Sequence, residues 1–252
     1  MRRRLASEDG LTLPELLTAM WIALIVALGA FALLDFVMKR TQETTQRVDS
    51  SQRARLAMDL MTRELRSLVC PDPNTPAIAP GTGTTADSVT FYADLTDGTR
   101  ATPAPTPAAG IQTTDGSAPI SPDRRVLRFD ATARTIVEDV YRPRGTVNAP
   151  TYPETPDRTR TLLANVMRDG ATPLFRYYGF TAGTSPTPTR QITPNATTGV
   201  PETDTQNIVR IDIAFDALPT NARTTTGTST RLQDQVILRS FDPEDPVPPC
   251  PA

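Results

Sequence analysis

Apolar positions follow two different patterns along this chain. From Leu16 to Leu34 there is no charged residue, and a flank whose one charge is Glu15 begins at Leu11. At 1.5 Å rise per residue such a helix nearly spans a hydrocarbon core of roughly 30 Å, so residues 11–38 are predicted to cross a bilayer. Farther on, Leu56, Leu60, Met61, Leu65 and Leu68 recur at spacings of three and four, while Arg53, Arg55, Asp59, Arg63 and Arg66 fall largely elsewhere. That periodicity predicts an amphipathic helix with one apolar stripe. Between Pro14 and Cys70 the only Gly or Pro is Gly29, so the two pieces read as one helix from about Thr12 to Val69, roughly 85 Å long. Pro71 and Pro73 stop it.

Beyond the prolines the pattern changes to short runs of period two. Strands are expected at 88–95, 125–130, 135–141, 174–180, 208–215 and 232–241. Leu162 to Met167 reads as strand or short helix. In 208–215, Val209, Ile211, Ile213 and Phe215 share one face, and Arg210, Asp212 and Ala214 the other. Segments 72–86, 99–123, 144–160, 181–206 and 218–230 are rich in Thr, Pro and Gly and read as loops. The fold class is α+β: a long amino-terminal transmembrane helix packed on an antiparallel β-sheet domain, with long Thr/Pro-rich loops.

Composition narrows the chemistry. The 252 residues suffice for one domain and an anchor, and 25 prolines require much of the chain to be loop. A net charge of −2 gives no basic footprint and argues against nucleic acid as a partner. There is no histidine, which excludes Ser-His-Asp, Cys-His and His-based zinc sites. No Gly-rich phosphate loop and no Cys-rich metal spacing occurs, so no catalytic residue, no cofactor and no metal site is expected. Asp242, Glu244 and Asp245 read as a proline-broken solvated tail rather than calcium ligands. Cys70 and Cys250, the only cysteines, permit one disulfide closing the domain if it lies outside the cytoplasm, stabilising by roughly 5 kcal/mol on chain-entropy grounds. Two unrelated thiols are the alternative.

The amino terminus carries the most specific signal. Arg2, Arg3 and Arg4 precede the apolar stretch and place the terminus in the cytoplasm, although Lys39 and Arg40 weaken the asymmetry. A secretory signal peptide would have a shorter apolar region and a small-residue cleavage site, whereas Asp35 to Lys39 stand here. Glu15 opens the apolar segment, where a carboxylate at the bilayer centre would cost about 3 kcal/mol. Gly10-Leu11-Thr12-Leu13-Pro14-Glu15-Leu16-Leu17 resembles the type IV prepilin cleavage and methylation motif. The resemblance implies cleavage after Gly10, a methylated new terminus at Leu11, and an assembly role for Glu15 facing a neighbouring subunit's amino terminus. Leu11 stands where phenylalanine is commoner, and Pro14 where an aliphatic residue is usual. Only Gly29 represents the mid-membrane Gly and Pro pair of many pilins.

The resemblance is specific over residues 7 to about 38. Downstream, Arg55 to Arg66 and the order of later pieces look like J-type minor pseudopilins of type II secretion systems. The implied organisation is a leader at 1–10, a transmembrane helix at 11–38, a helix continuation packing on the sheet at 39–69, and an extracytoplasmic β-rich domain at 70–252. Implied partners are other pilin or pseudopilin subunits, the prepilin peptidase/methyltransferase, an inner-membrane assembly platform and the lipid bilayer. The expected product is a single-pass protein of the cytoplasmic membrane and of a pilus or pseudopilus, with no enzymatic activity. Secretion, adhesion, motility and DNA uptake all remain open. The competing class is a membrane-tethered ligand-binding or enzymatic domain with a prepilin-like anchor.

Overall fold

The computed structural model describes residues 12–71, 75–93, 122–146, 149–180, 190–219 and 229–238. Its first element, α1, runs unbroken over Leu13–Arg66. The chain divides inside this helix into two compact units, residues 1–48 and 49–252. In the first unit every large apolar side chain from Leu13 to Met38 is exposed. That stretch is long and apolar enough to cross a membrane, the length and composition of an anchor or a signal sequence.

In the second unit burial on α1 begins at Ser50 and continues through Ala54, Ala57, Met58, Met61, Thr62, Glu64 and Leu65. The expected stripe holds at Met61 and Leu65 but not at Leu56, and the buried face extends to small residues outside it. Leu56 is 61% exposed, whereas Ala54 is fully buried. Small side chains at 54 and 57 let the helix approach its neighbours closely, and the longer Met61 and Leu65 fill the space beyond. The helix also ends at Arg66 rather than Val69. The Ser67 amide and hydroxyl both donate to the Glu64 carbonyl, at 3.1 and 2.7 Å. Leu68 then bridges Ala93, and the Val69 amide donates to Tyr92, so strand-like pairing takes the backbone before Pro71 is reached.

Strands β1 (Ser88–Ala93), β2 (Asp123–Asp130), β3 (Thr135–Tyr141) and β6 (Arg158–Ala164) form an antiparallel sheet in the order β1-β2-β3-β6. A short hairpin, β4 (Arg144–Thr146) and β5 (Ala149–Thr151), lies between β3 and β6 in sequence. Register shifts between Ile136 and Val137 leave Leu162 as an extra residue in β6, a bulge that accounts for its half-buried state. At Asn165, whose φ is 59°, the chain leaves this sheet; asparagine tolerates that left-handed turn better than most residues. It enters a second antiparallel sheet as β7 (Val166–Met167), joined by β8 (Phe175–Gly179), β9 (Arg190–Ile192), β10 (Arg210–Ala217) and β11 (Thr230–Ile237). The order is β11-β10-β8-β9, with β7 also on β10. A single turn, α2 (Glu202–Thr205), precedes β10.

Two segments read as loops therefore hold structure: 144–160 contains β4, β5 and the start of β6, and 181–206 contains β9 and α2. The lone face assigned to β10 also needs correction. Asp212 and Ala214 are buried along with Ile211, Ile213 and Phe215, because β10 is paired on both edges and covered on both sides. One apolar cluster joins Ala54, Met61 and Leu65 of α1 with Phe91 and Leu127 of the first sheet and Phe175, Ile213 and Phe215 of the second.

The described part of segment 72–86 is a strap rather than free loop. The Ala79 amide donates to the Thr90 carbonyl and the Tyr92 amide to the Ala77 carbonyl, either side of the Ile78–Phe91 bridge, while the Gly81 amide donates to the Val200 carbonyl and the Phe175 amide to the Ala86 carbonyl. One strap thus holds β1 on one side and the second sheet on the other.

Candidate functional site

The first turn of α1 is built around Glu15. Thr12 precedes the helix, and the Thr12 amide and hydroxyl both donate to Glu15 Oε2 at 3.0 Å. The Leu16 amide donates to the Thr12 carbonyl at 3.1 Å. This is the returning half of a capping box, in which an acid three residues into the helix satisfies the amide of the residue before it. Pro14 fits because the first-turn amides lack intrahelical acceptors. The T-x-x-E signature Thr12-Leu13-Pro14-Glu15 stands in the sequence, so Glu15 has a capping role beside the assembly role that the resemblance implies. Its carboxylate is exposed and also favourably placed against the positive end of the helix dipole.

Gly10 and Leu11, the expected cleavage and methylation positions, lie outside the described residues. So do Cys250 and the acidic positions Asp242, Glu244 and Asp245. Cys70 is described, and it is disulfide-bonded. Among the described residues no group of three or more His, Cys, Asp or Glu side chains is placed to hold a metal ion.

A second constellation lies where the end of α1 meets the first sheet. Glu64 of α1, Arg125 of β2 and Glu138 of β3 are almost wholly buried, with side-chain exposures of 6%, 4% and 2%. Arg125 Nη1 is 2.5 Å from Glu138 Oε1 and 4.0 Å from Glu64 Oε1. From β6, Arg160 Nη2 reaches both acids, at 2.8 Å from Glu64 Oε1 and 2.6 Å from Glu138 Oε2. Asp123 adds a third carboxylate 3.4 Å from Arg125 Nη2. Burial pushes the Glu64 carboxyl up to about 7, helped by the negative charge of Glu138 and opposed by Arg125 and Arg160.

Sequence reasoning passed over this group. Its signal was the run Ile136-Val137-Glu138-Asp139-Val140, in which Glu138 falls in step with Ile136 and Val140 on one strand face. An acid at an inward position of a strand requires a partner. On the opposite face Asp139 has its own, Arg128 at 2.6 Å and the Thr159 hydroxyl at 2.6 Å. In the second sheet Asp212 lies 3.0 Å from Arg210 and 3.7 Å from Arg176, and Arg210 stacks over Tyr178 at 4.0 Å. The Tyr177 hydroxyl donates to the Thr85 and Ser88 carbonyls, and its burial raises its pKa well above the ordinary value.

No family model matches the sequence, and neither a curated protein nor a solved structure matches it.

Proposed function

We propose that this chain is a minor pilin or pseudopilin subunit. In this reading prepilin peptidase cleaves between Gly10 and Leu11, Leu11 is methylated, and the mature protein assembles into a type II secretion or type IV pilus-type filament. The observation that carries the proposal is the motif Gly10 to Leu17 set at the mouth of an uncharged apolar stretch. An α+β body with antiparallel sheets following one long apolar helix supports it. The chain is then an assembly subunit of the cytoplasmic membrane, with its β-rich domain outside and a Cys70–Cys250 disulfide closing that domain. It carries no active site of its own.

The cap at Thr12 sharpens the experiment, because Glu15 has a hydrogen-bonding role that must be separated from its charge. Glu15→Gln keeps an oxygen to accept from Thr12 but removes the charge; Glu15→Asp keeps the charge with a shorter reach; Glu15→Ala removes both. Filament-associated protein is compared with total membrane protein, and the mature terminus is read by mass spectrometry. The expected terminus is methyl-Leu11, with incorporation high in wild type, intermediate in Glu15→Asp and low in both Gln and Ala. A terminus at Met1 or beyond Met38 sinks the prepilin reading. Full incorporation of Glu15→Gln reduces Glu15 to a helix cap.

A further inference from the structure

The carboxylates Glu64 and Glu138 present an arrangement that two ordinary salt bridges would not require. One guanidinium nitrogen, Arg160 Nη2, touches both acids, and Arg125 Nη1 lies on their other side. Among the described residues, three carboxylates (Glu64, Asp123 and Glu138) meet two guanidiniums. Glu64 Oε2 is buried and receives no hydrogen bond. Two like charges held this close in a dry site cannot both ionise without large cost, and one proton removes the conflict. With that proton on Glu64, the new hydroxyl has a ready acceptor in Glu138.

We propose that Glu64 and Glu138 form a proton-binding latch, in which one shared proton fastens the last turns of α1 to the four-stranded sheet and its loss loosens them. The ligand is a proton, and the elements it joins are α1, β2, β3 and β6. The facing groups are Arg125 and Asp123 from β2, Glu138 from β3 and Arg160 from β6.

The direction of the pH dependence follows from linkage. Unfolded, Glu64 titrates near the model-peptide value of 4.5; folded, burial and Glu138 move it up to about 7. The folded state therefore binds the extra proton between those values, so the latch's contribution is fully present below about 4.5 and is lost as pH rises through about 7. Over that window the folding equilibrium constant is expected to fall on the order of 100-fold. The absence of histidine removes the side chain that ordinarily changes charge between pH 5 and 8, and leaves Asp216 of β10, whose carboxyl burial also pushes up, as a second group the variants must separate from Glu64. The terminal amine does titrate near neutrality, so a variant must assign the step.

The test is thermal and urea unfolding of the intact chain in detergent micelles between pH 4.5 and 8.5. Wild type is expected to lose stability progressively from about pH 4.5 and to level off above about pH 7, the step the variants must assign. Glu64→Gln, an uncharged amide that can still donate to Glu138, should abolish the step and equal or exceed wild type at pH 8. Glu138→Gln relieves the like-charge conflict and should move the step to lower pH. Infrared difference spectra of wild type supply a readout that needs no variant: a carboxylic-acid carbonyl band present at pH 5.5 and absent at pH 8.5. A wild type without that band overturns the proposal, as does a stability step that survives intact in Glu64→Gln.

Discussion

The two ends of α1 share one backbone and follow opposite rules. From Leu13 to Met38 the large apolar side chains face outward on every side, and none is buried. From Ser50 to Leu65 the residues that touch the body are chosen by fit: alanines at 54 and 57, a serine at 50, and the longer Met61 and Leu65. A helix apolar around its whole circumference is made for an apolar solvent, whereas one apolar on a single side is made for a packed neighbour. Hydrophobicity alone does not tell these environments apart, since Leu56 is as apolar as Leu65 and is 61% exposed where Leu65 is fully buried.

That pair gives the largest effect by which the comparison can be broken. Leu65→Ala should destabilise the second unit by roughly 2–5 kcal/mol, the usual cost of emptying a packed leucine site. Leu56→Ala should change stability by no more than about 0.5 kcal/mol. Urea unfolding of the intact chain in micelles measures both, and equal losses would show that the face assignment on α1 is wrong. A charge in the other half should do the reverse. Leu24→Arg is expected to cost about 3 kcal/mol of membrane insertion, read as the fraction resisting alkaline extraction, while the unfolding midpoint of the β-rich unit stays put. The smallest effect belongs to the helix start. Thr12→Val removes one of the two hydrogen bonds to Glu15 Oε2 and should cost about 0.5 kcal/mol locally, seen as faster amide exchange at Leu13 to Leu16 with no change in global stability.

Elements with a strong local period were legible in advance. β3 was read at 135–141, the residues it occupies, and β2 and β8 differ from their expected limits by at most two residues at either end. Misreadings arose where something other than period decides the outcome. The end of α1 is set by the Val69 amide bonding Tyr92, a partner far away in sequence. The strands at 144–151 and 190–192 are three residues each, too short for any alternation to show. The alternation of β10 predicts one buried face, but Asp212 on the other face is buried beside Arg176 and Arg210. The candidate site divides in the same way. Glu15 stood out in the sequence, and its cap with Thr12 was there to be read in the T-x-x-E spacing. The Glu64 cluster draws its members from α1, β2, β3 and β6, so the sequence signals one member, Glu138 in step with Ile136 and Val140, and only the folded arrangement supplies its partners.

The strap at 77–88 has a consequence for inheritance. Ala79 and Ala86 hold their neighbours through peptide groups, which almost any residue supplies. Drift there can alter the letters while the path of the chain survives. Four positions are not free in this way. Gly81, whose φ is 82°, holds a left-handed conformation that side chains resist, and a Cβ on Gly83 would lie 2.5 Å from the Thr90 hydroxyl oxygen. Thr84, fully buried, uses its hydroxyl to bond the Ala79 carbonyl at 2.6 Å. Gly199 has a φ of 72°, and a Cβ placed on it would lie 1.8 Å from the Gly81 carbonyl oxygen, a position backbone cannot vacate cheaply. In descendants of this sequence the strap should come to look like compositional filler, recognisable by Gly81, Gly83 and Thr84 and by a glycine more than a hundred residues downstream.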